Sequence, residues 1–134
     1  MTLVLSKLYG VEPELEAKLK KVGIRDTDDL LARCQSAEAI VDLAVQTGAE
    51  AAVLEQLVHR AQFAQIRGIG EAYTILLEAV GVKTINDLAQ KGPEDLRSDL
   101  NRVNSELKLV GRVPALAMVN GWVNKAQRNV RLGN

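Results

Sequence analysis

Apolar residues recur at three- and four-residue spacings along almost the whole chain, and no stretch alternates with the period of two that marks a strand. Glycine and proline divide this pattern into helices. Pro13 suits a first helical turn, and the run from Glu14 to Val22 stops at Gly23. Asp26 can cap the next helix, with Asp29 three residues on. Ala37, Ile40, Val41, Ala44 and Val45 mark one apolar face, closed by Gly48; Val53, Leu54, Leu57, Val58 and Ala61 mark another. Further on, Glu71–Val80 reads as a helix ended by Gly81, and Thr84 caps the next with Asp87 as its reciprocal acid. Pro93 opens a helix with Leu96, Leu100, Val103 and Leu107 on one face, and Pro114 opens the last, with Leu116, Val119, Val123, Ala126 and Val130 inward. The reading is an all-α chain whose helices pack into one compact body.

The elements repeat. At an offset of 58 positions, Gly10–Ala32 falls on Gly68–Gln90 with Gly10/Gly68, Leu19/Leu77, Val22/Val80, Gly23/Gly81, Asp29/Asp87 and Leu30/Leu88 identical. At an offset of 65, Leu57-Val58-His59-Arg60-Ala61-Gln62 meets Trp122-Val123-Asn124-Lys125-Ala126-Gln127. The order of elements is the same in both halves, and the change of offset implies an insertion between Lys91 and Pro114. The expected halves are 1–66 and 67–134, each a unit of paired helices with two further helices behind it.

Composition narrows the class. Of 134 residues, 47% are hydrophobic but only 3% aromatic, so the core must be built from Leu, Val, Ile and Ala, which favours helix packing over a β-sandwich. Seventeen basic and seventeen acidic side chains cancel, which argues against a strong non-specific nucleic-acid binder. The single cysteine, Cys34, excludes an intramolecular disulfide and a thiolate cage. Leu3-Val4-Leu5 is too short for a signal segment and no later run reaches membrane-spanning length, so a cytoplasmic protein is expected.

Two stretches carry a resemblance. Ile66-Arg67-Gly68-Ile69-Gly70, followed by Val80-Gly81-Val82-Lys83-Thr84-Ile85-Asn86-Asp87-Leu88, resembles a helix-hairpin-helix element. Leu8-Tyr9-Gly10-Val11-Glu12-Pro13 with Val22–Leu30 resembles a degenerate copy. Over nearly the whole chain the pattern is similar to an uncharacterised bacterial family, a domain of unknown function, with tandem helix-hairpin-helix units. The resemblance implies a SAM-like, five-helix type of fold. It also implies a mode of action: a Gly-apolar-Gly hairpin lets amides at a helix N-terminus approach a DNA phosphate, without reading bases. Only the second hairpin meets that pattern. In the first, Glu12 replaces the second glycine and Glu14 and Glu16 follow, so an incoming phosphate meets carboxylates. Thr74 stands where the motif often has a small Ala. Some similar sequences are labelled flap-endonuclease-like, but the carboxylate constellation that metal-dependent nuclease chemistry needs is missing here.

Each candidate has two readings. Gly68-Ile69-Gly70 is either a phosphate cradle, with Arg67 and Lys83 nearby, or a tight turn that only packs helices. From Leu107 onward the chain carries Lys108, Arg112, Lys125, Arg128 and Arg131 and no acid; Lys125, Arg128 and Arg131 form a stripe opposite the apolar face. That stripe can track phosphates, an acidic protein surface or anionic lipid headgroups, or be an ordinary solvated face. Ala37–Glu55 is the reverse, with Glu38, Asp42, Glu50 and Glu55 and no Lys or Arg, so opposite patches could pair between subunits. Trp122 is expected at the edge of the last apolar face, His59 at the surface, Cys34 as a packed hydrophobe, and Asp26, Asp28 and Asp29 as capping residues rather than a metal cluster. The expectation is a non-enzymatic binding module with no cofactor, metal, catalytic residue or small-molecule substrate. Its partner is DNA or RNA backbone, held weakly and salt-sensitively, or alternatively a protein surface, including a second copy.

Overall fold

In the computed structural model residues 2–131 are described. Among them the chain forms a 3₁₀ turn at Leu5–Lys7 and eight helices: α1 Pro13–Lys21, α2 Thr27–Arg33, α3 Ala37–Thr47, α4 Ala51–Ala64, α5 Glu71–Ala79, α6 Ile85–Ala89, α7 Pro93–Leu107 and α8 Leu116–Arg131. No strand occurs among the described residues; one isolated antiparallel bridge joins Val4 to Asp26. The chain divides into two compact units, Met1–Gln65 and Ile66–Asn134.

In the first unit the leading segment is tied down by main-chain bonds. Thr27 N donates to Leu3 O at 2.9 Å, and Leu3 N donates to the buried Thr27 Oγ1 at 3.0 Å. The core gathers Leu5, Leu8, Leu19, Ile24, Leu30, Leu43, Leu54 and Leu57, with α2 and α3 both packed on α4. In the second unit α6 and α7 pack on α8 around the buried Leu76, Leu77, Leu88, Leu96, Leu100 and Val123.

The two units repeat the same main-chain pattern at the α1–α2 and α5–α6 junctions. Ile24 N donates to Leu19 O at 3.0 Å and Val82 N to Leu77 O at 2.8 Å. Gly23 and Gly81 have φ of 89° and 88°. Asp26 accepts from Asp29 N, and Thr84 accepts from Asp87 N in a full capping box. Asp29 and Asp87 each reach back to the preceding basic residue, accepting from Arg25 N at 3.0 Å and Lys83 N at 3.1 Å. Each acid therefore satisfies amides that would otherwise be orphaned at a helix start. The additional residues of the second unit sit in α7, 15 residues long against 11 in α3, and in the segment 108–115, which stands where the first unit has only 48–50.

Several helical faces differ from the sequence pattern. On α3 Ile40 and Ala44 pack on the core as expected, but Leu43 and Thr47 are its buried residues, and Val41 and Val45 are 52% and 79% exposed. Leu107 and Leu116 are exposed rather than inward, as is Val53. The last helix begins at Leu116, two residues after Pro114, whose carbonyl accepts from Arg97 Nε at 3.0 Å instead of starting the helix. Trp122 is wholly buried, not at an edge.

Candidate functional site

The bend at Gly68-Ile69-Gly70 is built from three roles in three residues. Gly68 has φ of +95°, which an L side chain adopts only at a cost of roughly 1–2 kcal/mol. A Cβ there would lie 3.1 Å from Trp122 Nε1 and 3.7 Å from Met118 Sδ, so the bend rests directly on α8. Ile69 is buried and anchors the turn, its N–H donating to Ile66 O at 3.1 Å. Gly70 is exposed, caps α5 with no side-chain hydrogen bond, and has open space where a Cβ would stand. Its carbonyl accepts from Thr74 N at 3.0 Å and Thr74 Oγ1 at 2.9 Å, so Thr74 ties the first turn of α5 down.

This leaves the N-terminus of α5 open. The first amides of an α-helix have no intrahelical acceptor, and the helix dipole adds partial positive charge there. Glu71 is the one acid in the first turn of α5. Beneath the bend, the indole N–H of Trp122 is buried and has no hydrogen-bond partner, while its ring lies against Tyr73 at 5.3 Å between centroids. An unpaired buried donor is uncommon and calls for a reason.

The equivalent bend of the first unit is closed. Gly10 has φ of +90°, but the space a Cβ would take is filled by the Arg60 guanidinium. Arg60 Nη1 donates to Tyr9 O at 3.1 Å, and the guanidinium stacks 4.3 Å over the Tyr9 ring. Glu12 caps α1 without a side-chain bond, and Glu14 and Glu16 follow in the first turn.

The cations are spread over several places. Arg67 is exposed beside Gly68. Lys125 is exposed on α8 one turn beyond Trp122, at the position that Arg60 holds in the repeat. Arg128 and Arg131, also exposed, follow at steps of three and turn progressively away from the Met118–Trp122 flank, since each step rotates by about 300°. Lys83 is exposed but lies beyond the far end of α5, a nine-residue helix that separates it from Gly70 by roughly 13 Å. Lys108 ends α7 in a left-handed conformation and Arg112 lies in the segment after it, with no bond to the bend. Around the bend of Arg67, Gly68, Ile69 and Gly70, α8 contributes Met118 and Trp122, while Lys83 lies beyond the far end of α5. Trp122 and Thr74 are the participants that sequence reading did not assign to the site; the match of Leu57 with Trp122 was the available signal.

Other chemistry-bearing groups lie elsewhere. Cys34 is buried at the end of α2; burial pushes its thiol pKa up, partly opposed by the neighbouring Arg33 charge. His59 stands within 3.7 Å of Glu55 and 3.4 Å of Gln62. A cavity of about 580 Å³ between the starts of α7 and α8, lined by Gly92–Asp95 with Leu116, Ala117 and Asn120, includes none of the predicted site residues. No group of three or more His, Cys, Asp or Glu side chains among the described residues could hold a metal ion. No described helix is long and apolar enough to cross a membrane.

Fold and site together define an all-helical protein of two repeated units in which one bend is open and its twin is closed. The profile of a domain of unknown function (DUF4332) matches residues 9–129, and the chain belongs to that family. No curated protein and no solved structure matches it.

Proposed function

We propose that the two units are helix-hairpin-helix units and that the second binds nucleic-acid backbone without reading its sequence. A phosphate would accept from the amides at Gly70 and the first turn of α5, with Arg67 and Lys125 as flanking cations. The observation that carries this reading is the exposed, uncapped start of α5 at Gly70, with open space where any other residue would put a side chain. Neutral overall charge limits the affinity, because the counterion-release contribution grows with each phosphate neutralised. The protein acts in this reading as a binding module, not as an enzyme.

The test is a fluorescence-anisotropy titration of labelled duplex DNA, duplex RNA and single strands at low and moderate salt. Binding that weakens as salt rises and is insensitive to base sequence is expected. Gly70→Glu, which puts into the second bend the residue its twin carries, should weaken it at least tenfold. Flat curves for all probes at both salts would overturn the reading.

A further inference from the structure

The second unit departs from the first chiefly at the end of α7, and what it adds there is a knob. Lys108 stands in the left-handed region at φ 53°, the one non-glycine residue with positive φ among those described. Asn104 holds the turn rigidly: its Oδ1 accepts from Leu109 N at 3.0 Å and Val110 N at 3.1 Å, and its Nδ2 donates to Val110 O at 2.9 Å. That staple presents Leu107, 48% exposed, and Leu109, 39% exposed, on either side of Lys108. Arg112 follows, and residues 107–113 contain no acid. Two leucines held outward by a three-bond clamp are not a loop of polar solvated residues.

The first unit carries a surface of the opposite character. Val41 and Val45, one turn apart on α3, are exposed beside Glu38 and Asp42. Next to them opens a cavity of about 310 Å³ whose walls include Ile40, Val41, Ala51 and Val58, with Glu55 and His59 also lining it. Residues 37–55 contain four acids and no Lys or Arg. The cavity is therefore walled partly by apolar side chains, in a segment whose charged residues are all acids.

We infer that these surfaces dock between copies of this chain, the Leu107–Leu109 knob of one copy entering the Ile40–Val58 cavity of a second. Charge complementarity selects the occupant. The knob brings Lys108 and Arg112; Glu55 lines the cavity, and Glu38 and Asp42 lie on the α3 segment that forms one of its walls. The contact joins two different patches, so it is heterologous, and assembly closes into a ring, a reciprocal pair included, or runs on as an open chain. A knob of two leucines is small, so the association is expected in about the micromolar to millimolar range and weakened by salt.

Sedimentation velocity from about 1 μM to about 1 mM protein, at low and moderate salt, tests this. The average mass should rise with concentration and fall with salt. Leu109→Glu and Val41→Glu alter exposed positions and should leave the circular-dichroism melt unchanged, yet each should return the protein to monomer. An equimolar mixture of the two variants should form dimers and nothing larger, because it contains one intact knob and one intact cavity per pair. Lys108→Glu should weaken association at least tenfold, and adding Asp42→Lys to the same chain should restore it. A monomer at every concentration, or masses that none of these substitutions changes, would overturn the inference. Nucleic-acid binding through the bend at Gly70 enters none of these measurements.

Discussion

The bends at Gly10 and Gly68 share a backbone and differ in everything around it. Both glycines have φ near +90°, both precede a helix whose start lacks a side-chain cap, and both lie against the helix that closes their own unit. In the first, Arg60 fills the space behind the glycine and bonds the Tyr9 carbonyl, while three glutamates crowd the helix start. In the second, Trp122 fills that space, Lys125 stays in solvent at the place of Arg60, and Gly70 replaces Glu12. The difference teaches that one supersecondary unit supports two outcomes. Backbone geometry sets up an anion-attracting helix start, and the nearby side chains decide whether it remains open.

The largest effects test the supports. Leu57 and Trp122 hold the same place in the repeat, 1% exposed in both cases. Leu57→Ala should cost about 2–5 kcal/mol and Trp122→Ala about 3–5 kcal/mol in denaturant unfolding followed by circular dichroism. A loss below roughly 1 kcal/mol at either site would break the equivalence. Next in size is the exchange of helix starts. Gly70→Glu should lower duplex affinity at least tenfold, about 1.4 kcal/mol, in an anisotropy titration. Glu12→Gly should confer no measurable binding, because Glu14, Glu16 and Arg60 still occupy the first bend. Smaller again are the caps: Asp26→Ala and Thr84→Ala should each lower stability by about 1 kcal/mol, read from the same unfolding curves.

The smallest effect belongs to the first unit alone. The Cys34 thiol keeps its proton to higher pH in the folded chain than in the unfolded one. Its contribution is therefore fully present below the ordinary thiol pKa and is lost as pH rises through the elevated folded value. A shallow alkaline decline in stability, absent from Cys34→Ala, is expected. Alkylation of the native protein should be slow and should accelerate on unfolding, since the thiol is buried. Rapid native labelling would contradict that placement.

Much of the repeat was legible because its identical positions are the structural ones. Leu19 and Leu77, and Leu30 and Leu88, are completely buried, and Asp29 and Asp87 make matching bonds to the preceding main chain. The inward side of α3 was legible only in part: Ile40 and Ala44 pack on the core, but Val41 and Val45 do not. Apolar residues surround so much of that helix that the 3.6-residue period has no clear phase, and Leu43 rather than Val41 or Val45 turned inward. At the site, Gly68 and Gly70 could be read from their spacing. The burial of Trp122 could not, because it depends on a glycine of another element lacking a Cβ. The distance of Lys83 was hidden for a related reason: residues close within a motif are separated in space by the helix between them.

The indole beneath Gly68 has one more consequence. This chain contains a single tryptophan, so its emission arises from one place, the underside of the open bend. Any movement of that bend changes the polarity around one fluorophore, which makes the protein its own optical sensor for events on the face above.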